Sequence, residues 1–153
     1  MALKTAQQYI ESLKDNRQIY VDGEKITDVT THPRFAAAIK HMARAYEMAM
    51  DPEWSKYYVT TCPETGETIT GCYRLPQNSE DLKARRQTIY QASRYAGGYI
   101  PFGSTKEIGT DAIFALRIIT ADVDKKYGTN YSERIKNYHH YCQKNDLSLA
   151  GAV

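Results

Sequence analysis

The chain has 153 residues, 42% of them apolar and 25% charged, which is typical of a soluble globular protein of one domain. Twenty Lys and Arg residues against eighteen Asp and Glu give a formal net charge of +2, without any block of like charges. This pattern argues against a nucleic-acid-binding surface. No apolar run approaches the roughly 18 residues that a membrane span requires, so no membrane partner is expected.

The first residues lack the apolar core of a secretory signal, and the chain has only three cysteines. An odd number of cysteines does not make a disulfide framework. A reducing, cytoplasmic location with free thiols is therefore expected.

The first third of the chain carries clear signals for helix starts and a hairpin. Thr5 and Gln8 fit a capping box, which predicts a short first helix. Asp22-Gly23 lies between two short strand-like segments and predicts a two-residue hairpin turn. Pro33 suits the first position of the next helix, which should bury one face. The apolar residues of that face are Phe35, Ile39, Met42, Tyr46 and Ala49.

The middle third predicts a short helix, a second hairpin and a long helix. The short helix follows Asp51-Pro52, and the hairpin turns at residues 63–67. The long helix begins at Asn78 and ends at Gly97. Its inward positions are predicted to be Leu82, Ile89 and Ala96, and its outward positions Arg85, Arg86 and Gln87.

The last third predicts two helices joined by a short connection. The first begins at Thr110-Asp111 and is apolar nearly all round, so it should be central and covered on several sides. Its apolar residues are Ile113, Phe114, Leu116, Ile118, Ile119 and Val123. Gly128 fits a left-handed C-terminal cap. Side-chain oxygens of Thr129, Asn130 and Ser132 could then cap a final helix that ends near residue 145.

These patterns together predict a mainly α fold: a helical bundle domain with two small peripheral β-hairpins. The connection from Gly97 to Thr110 is the strongest candidate for a site, because it is longer than packing requires. A plain irregular crossing is the alternative. The candidate site residues, which offer stacking faces and polar groups to a ligand, are Tyr99, Phe102, Thr105, Lys106 and Glu107.

Other chemistry-bearing residues favour structural roles. His139 and Cys142 share a helical face, but two ligands do not complete a zinc site, so no metal is predicted. Cys62 and Cys72 flank the second hairpin, where a disulfide is the minority alternative to free thiols. The acidic residues interpreted as solvated charges are Glu64, Glu67, Asp122 and Asp124.

Five parts of the sequence carry a resemblance to a known family: residues 5–13, 21–26, 31–33, 51–52, and the stretch that begins at 125–134 and runs on to 145–153. In collinear order they resemble the amino-terminal part of the 4-hydroxyphenylacetate 3-hydroxylase and 4-hydroxybutyryl-CoA dehydratase family. The resemblance implies an acyl-CoA-dehydrogenase-like architecture, in which a helical first domain precedes a β middle domain and a helical last domain. Residues 1–153 are therefore expected to form the first domain, without the other two.

The resemblance also implies a cofactor and partners. FAD would lie between this domain, the middle domain and a neighbouring subunit, held mainly by residues outside this chain. The partner would be a chain that carries the rest of the architecture, or further copies in a homo-oligomer. The substrate would be an acyl-CoA or a phenol, and residues 127–131 resemble the acyl-CoA branch more closely.

Both local signatures of the family are missing here. In the dehydratase branch, two loop cysteines ligate a [4Fe–4S] cluster, and their positions fall at Gly103 and Glu107. Neither residue ligates iron as a thiolate does, so no cluster is expected. In the hydroxylase branch an arginine and a tyrosine hold the phenol, and their positions fall near Ile108 and Ala112.

Two functions follow from these observations. In the first, the chain is the amino-terminal domain or subunit of a flavin-dependent oxidoreductase, monooxygenase or lyase. It forms one wall of the substrate and flavin site and is not catalytic alone. In the second, it is a non-catalytic helical scaffold or vestigial subunit that binds another protein chain.

Overall fold

The computed structural model describes residues 3–98 and 106–149, and within these ranges it shows six α-helices and two antiparallel hairpins. The mainly α fold with two peripheral hairpins is thus confirmed. The helices are α1 (Ala6–Glu11), α2 (Pro33–Met50), α3 (Ser55–Tyr58), α4 (Ser79–Tyr95), α5 (Glu107–Tyr127) and α6 (Tyr131–Lys144). The strands are β1 (Ile19–Val21), β2 (Glu24–Ile26), β3 (Val59–Thr61) and β4 (Thr68–Thr70), and a 3₁₀ turn (Gly71–Tyr73) follows β4.

The helix and hairpin signals in the sequence are confirmed where they depend on local chemistry. The capping box forms at α1, with Thr5 N–H donating to Gln8 Oε1 at 2.8 Å and Gln8 N–H donating to Thr5 Oγ1 at 3.2 Å. The β1–β2 turn places Asp22 and Gly23 at φ values of 53° and 85°, as a type I′ turn requires. Gly128 ends α5 in the left-handed conformation, with φ at 67°.

The core divides into packed clusters on either side of the 3₁₀ turn. One cluster joins α2, α3 and α4 around the fully buried Met48 and Tyr58. Another joins β4, α5 and α6 around Ile69, Ile113 and Cys142. The 3₁₀ turn contributes a buried residue to each, and this shared turn brings the first turn of α5 close to α4.

The predicted inward face of α4 is wrong. Leu82 is 58% exposed, whereas Arg85, predicted to face outward, is buried. The buried face of α4 follows the helical repeat through Arg85, Thr88, Gln91 and Ala92. Binary patterning failed here because the buried Arg85 carries a charged group whose donors find partners inside the protein, which makes its burial tolerable.

The expectation that α5 is covered on several sides is also wrong for this chain. Ile113 and Phe114 are buried, but three later residues of the helix are exposed, and Ile118 reaches 73% exposure. Those three residues are Leu116, Ile118 and Ile119. Most contacts of α5 are with α6, and the exposed side chains of Leu116, Ile118 and Ile119 have little cover within the described residues.

Asp124 caps α6, although it was interpreted as a solvated charge. Its carboxylate accepts from the hydroxyls of Ser132 and Thr129 and from the backbone N–H groups of Tyr131 and Ser132, at 2.5–2.8 Å. The hydroxyls expected to accept at this helix start therefore donate instead. The hydrogen bonds from Ser132 and Thr129 hold the pKa of Asp124 well below its ordinary value.

None of the helices within residues 3–98 and 106–149 is both long and apolar enough to cross a bilayer.

Candidate functional site

The predicted site residues divide into two groups. Tyr99, Phe102 and Thr105 lie outside the described residues. Lys106 and Glu107 open α5, and both are buried, with 1% and 4% exposure. The sequence predicts that both side chains offer polar groups to a ligand. They instead pack inside the domain, because charged and polar groups from α2, α4, β4 and the segment after α6 surround the first turn of α5.

Lys106 forms a buried ion pair with Asp146, which follows the end of α6. The Lys106 ammonium also lies 4.3 Å from the centre of the Tyr46 ring, a favourable cation–π distance. Asp146 accepts further hydrogen bonds from Thr70 Oγ1 at 3.5 Å and from the backbone N–H of Lys4 at 3.3 Å. A buried charge pair with such additional donors is well compensated.

Glu107 is enclosed next to Cys72 of the 3₁₀ turn. Its Oε1 accepts from the Cys72 thiol at 3.5 Å, whereas its Oε2 has no hydrogen-bond partner among the described residues. Burial raises the pKa of Glu107 above its ordinary value of 4.5. Burial likewise raises the pKa of the Cys72 thiol. The raised pKa shifts the protonation equilibrium of Glu107 towards the neutral form relative to an exposed glutamate, and in that form the carboxyl can donate a hydrogen bond as well as accept one.

Arg85 connects α4 to the start of α5. Its Nη1 donates to the Cys72 carbonyl at 2.9 Å, and its Nη2 reaches the Glu107 carbonyl at 3.1 Å and Asp111 Oδ1 at 2.6 Å. The guanidinium also lies 5.0 Å from the centre of the Phe114 ring. Arg85 thereby satisfies the Cys72 carbonyl of the 3₁₀ turn and joins Thr110 Oγ1 as a second donor to the Glu107 carbonyl.

A groove of about 530 Å³ runs along the outer side of this cluster, between α4 and α5. Its walls are mostly apolar, with Arg85 and Asp111 as the charged pair within it. The apolar lining residues are Leu75, Pro76, Leu82, Phe114 and Ile118.

A second groove of about 560 Å³ lies on the other side of α5, against α6. Its lining is also largely apolar and comprises Leu116, Ile119, Val123, Tyr131, Ile135 and Tyr138, with Thr120 and Arg134 as the polar members. α5 thus presents an apolar groove on each side. Contiguous exposed apolar surface of this kind marks interaction sites in soluble proteins.

His139 and Cys142 have structural surroundings. His139 Nε2 lies 2.9 Å from the Tyr73 carbonyl, which requires it to donate, and its Nδ1 lies 3.1 Å from the Arg117 guanidinium. Burial lowers the pKa of His139, in keeping with a neutral ring. Within residues 3–98 and 106–149, no three potential ligands lie close enough to hold a metal ion. Cys62, Cys72 and Cys142 are free and buried.

Sequence reasoning missed Arg85, Cys72 and Asp146 as parts of the buried cluster. Two local anomalies could have indicated it. Gly109 lies inside the first turn of a helix, where glycine is unfavourable. Asp146 stands just beyond a helix end, where glycine is the usual residue.

Comparison with known proteins places the chain in a family. The family model described as 4-hydroxyphenylacetate 3-hydroxylase N terminal matches residues 5–153. The 4-hydroxybutyryl-CoA dehydratase/vinylacetyl-CoA-Delta-isomerase of Clostridium aminobutyricum is 36% identical over 152 residues, which cover 99% of this chain and 30% of that protein. The 4-hydroxyphenylacetate 3-monooxygenase oxygenase component of a Geobacillus species is 29% identical, over 97% of this chain and 29% of that protein.

Solved structures agree with this assignment. The oxygenase component of 4-hydroxyphenylacetate 3-monooxygenase complexed with FAD matches 95% of this chain and 29% of its own, with a TM-score of 0.75 and 27% identity. A 4-hydroxybutyryl-CoA dehydratase from N. maritimus shares the fold, with a TM-score of 0.82 at 23% identity over 96% of this chain and 28% of its own. This chain spans about three tenths of the length of these relatives. The chain belongs to the 4-hydroxyphenylacetate 3-hydroxylase family and corresponds to its amino-terminal domain.

Proposed function

We propose that this chain is the amino-terminal domain or subunit of a flavin-dependent enzyme and forms one wall of its substrate and flavin site. The observation that carries the proposal is the match of almost the whole chain to the amino-terminal three tenths of its relatives. One of the matched structures holds FAD. Most contacts to the flavin would come from the rest of the architecture, on the same polypeptide, on a separate chain or on further copies.

The two apolar grooves on α5 support this proposal. A helix that exposes Leu116, Ile118 and Ile119 while packing mainly against α6 has the pattern of an element that other surfaces cover in an assembly. The missing cover would come from the middle and last domains of the family architecture. The assembled protein would then bury both grooves, which also makes oligomerisation of the chain by itself an expected consequence.

For the substrate we propose an acyl-CoA. The dehydratase relative is 36% identical over 152 residues, whereas the hydroxylase relative that matches a similar length is 29% identical. Glu107 occupies the place of a cluster cysteine, and its carboxyl has one oxygen without a hydrogen-bond partner in the described residues. It would contribute a hydrogen bond to the site instead of an iron ligand.

Within this wall, the loop residues Tyr99, Phe102 and Thr105 would meet the ligand directly. Lys106 and Glu107 follow them at the start of α5 and would support them from inside the domain, since both are buried. The described residues would therefore support one wall of the FAD site. The rest of the FAD pocket would come from the other domains.

The test is purification of the assembled protein from its own cells through a tag on this chain. We expect flavin absorbance to copurify and the released cofactor to be FAD. Addition of 4-hydroxybutyryl-CoA should perturb the flavin spectrum more than 4-hydroxyphenylacetate does. Assembled protein without flavin would refute the proposal, and a response to 4-hydroxyphenylacetate alone would refute the substrate class.

A non-catalytic scaffold is the second candidate, and one observation favours it. Lys106, which the loop could have offered to a ligand, is already paired with Asp146 inside the domain. In that case the α5 grooves would still bind another chain, and the same purification would yield a stable complex without FAD.

A further inference from the structure

We propose that Lys106 and Asp146 are positioning residues, whose ion pair locks residues 146–149 onto the first turn of α5 and so fixes the wall of the flavin site. This inference rests on the proposed function. We call residues 146–149 together with the first turn of α5 the clasp. The proposal depends on three independent features of the described chain: a helix cap, a helical glycine and a buried charge pair.

The first feature is the cap of α6. Leu147 N–H donates to the Cys142 carbonyl and Asp146 N–H to the Gln143 carbonyl, each at 3.1 Å. These two bonds form a Schellman motif with Asp146 at the left-handed position, where its φ is 44°. Glycine takes this conformation without a steric penalty and is the usual residue there, whereas aspartate adopts it less often. A requirement for the Asp146 carboxylate explains why aspartate stands in a position that suits glycine.

The second feature is Gly109 in the first turn of α5. A Cβ at this position would lie 2.2 Å from Leu149 Cβ and 3.2 Å from the Leu149 carbonyl carbon. No side chain larger than hydrogen fits there while residues 146–149 keep their place. Glycine is a poor helix former, so its presence indicates that close approach of the two segments outweighs helix propensity.

The third feature is the enclosure of the pair itself. The Lys106 and Asp146 side chains are 1% and 4% exposed, and the Tyr46 ring covers the ammonium. Tyr46 also donates to the Asp146 carbonyl at 3.1 Å, and Tyr73 donates to the Leu147 carbonyl at 2.6 Å. Both ends of the clasp are therefore tied to α2 and the 3₁₀ turn as well as to each other.

Asp146 and Gly109 are each unusual at their positions, and both, together with the buried ion pair, hold residues 146–149 against the first turn of α5. A buried ion pair adds little stability over an apolar pair of the same size but holds its two elements in one geometry. Local violations of this kind cluster where function requires a fixed arrangement. The clasp joins the residue that ends the candidate loop to the chain that leaves α6, and we infer that the site depends on their relative position.

The test uses the assembled protein with Lys106→Met and Asp146→Asn combined. This pair of changes removes both charges together, so no buried charge is left alone, and asparagine tolerates the left-handed conformation. Met48→Ala, in the core cluster that joins α2, α3 and α4, is the control for a simple loss of stability. Gly109→Ala is the independent second variant, since its methyl group must displace Leu149.

Hydrogen exchange tests the clasp itself and needs no flavin. In the double variant and in Gly109→Ala, amides of residues 107–110 and 146–149 should exchange faster together, by about tenfold. In Met48→Ala, the amides of these two segments should not exchange faster than those of the rest of the chain. Unchanged exchange in both clasp variants, or faster exchange of one segment alone, would overturn the inference.

Titration with FAD then tests the dependence of the site on the clasp. The dissociation constant of FAD should rise by about tenfold or more in both clasp variants and stay near the wild-type value in Met48→Ala. An equal rise in all three variants would show a merely structural role and overturn the inference. Failure of the unsubstituted assembly to bind FAD would instead refute the proposed function, and it would be seen before any variant is measured.

Discussion

The two halves of α5 invert the usual distribution of side chains. At its start, the charged or polar residues Lys106, Glu107 and Thr110 are buried. Further along, Leu116, Ile118 and Ile119 are exposed. The first half is enclosed by other parts of this chain, whereas the second half leaves apolar side chains uncovered among the described residues. The comparison shows that α5 is enclosed at its start and exposes an apolar surface further along.

The inversion has a physical basis in each half. Polar groups at the start are tolerated because Arg85, Asp146 and Cys72 supply charges and hydrogen bonds. Exposed apolar side chains further along the helix do not prevent the helix from forming. They stabilise the protein only when another surface covers them and removes them from water. Substitutions in the first half should therefore lower the unfolding free energy of the chain alone. Substitutions of the exposed apolar residues should lower it mainly in the assembled protein.

The largest effect is expected from Arg85→Ala, which acts on the closed half. It removes the donor to the Cys72 and Glu107 carbonyls and leaves Asp111 without its cation. Unfolding free energy, measured by denaturant titration, should fall by about 3–5 kcal/mol. The neighbouring exposed Arg86→Ala is the matched control and should change it by less than about 0.5 kcal/mol. Similar losses in both variants would contradict the account of a closed half.

A smaller effect is expected from Tyr73→Phe, which leaves the Leu147 carbonyl without the hydroxyl that now donates to it at 2.6 Å. Because the group is buried, the loss should be about 1–2 kcal/mol in the same titration. Tyr90→Phe, on an exposed ring, is the control and should be near neutral. If Tyr73→Phe leaves the unfolding free energy unchanged, the hydroxyl of Tyr73 does not hold residues 146–149 as described.

The pH dependence of stability tests the burial of Glu107. Its pKa is raised in the folded state, so ionisation opposes folding as pH rises from the ordinary value of 4.5 through the folded pKa. Relative to Glu107→Gln, the wild-type chain should lose unfolding free energy across that interval and run parallel below it. Glu133→Gln, on an exposed side chain, should leave the wild-type curve unchanged. Parallel curves for wild type and Glu107→Gln throughout would contradict the assignment.

The smallest effect is expected from Leu116→Ala in the chain alone. This side chain is 45% exposed, so its truncation should cost less than about 1 kcal/mol, against about 3–5 kcal/mol for the buried Phe114→Ala. In the assembled protein the Leu116→Ala loss should grow, since the groove is then covered. A large loss in the chain alone would show that the open half is already packed.

The sequence predicted those elements that depend on neighbouring residues. The Thr5–Gln8 capping box, the Asp22-Gly23 turn and the Gly128 cap are all present, because each depends on chemistry within a few residues. Burial was predicted less well. Leu82 and Arg85 exchanged their expected places, since their surroundings come from elements distant in sequence.

For the candidate site, the sequence singled out Lys106 and Glu107 but placed them in the loop before a helix that begins at Thr110, whereas α5 begins at Glu107. Both were predicted to offer polar groups to a ligand, and the ion pair of Lys106 with Asp146, forty residues later, has no local signature apart from the unusual residue at that helix end. Local spacing cannot show which distant side chain will neutralise a buried charge. The roles of Tyr99, Phe102 and Thr105 stay predictions, because these residues lie outside the described ranges.

Cysteine labelling at Ile118 tests the central claim most directly. All three native cysteines are buried, so a thiol introduced by Ile118→Cys should be the first to react with a maleimide. In the chain alone it should label as fast as one introduced by Lys83→Cys on exposed α4. In protein purified from its own cells, Ile118→Cys should be protected and Lys83→Cys should not. Equal labelling of the two in that assembled protein would contradict the claim that this chain is one domain of a larger enzyme.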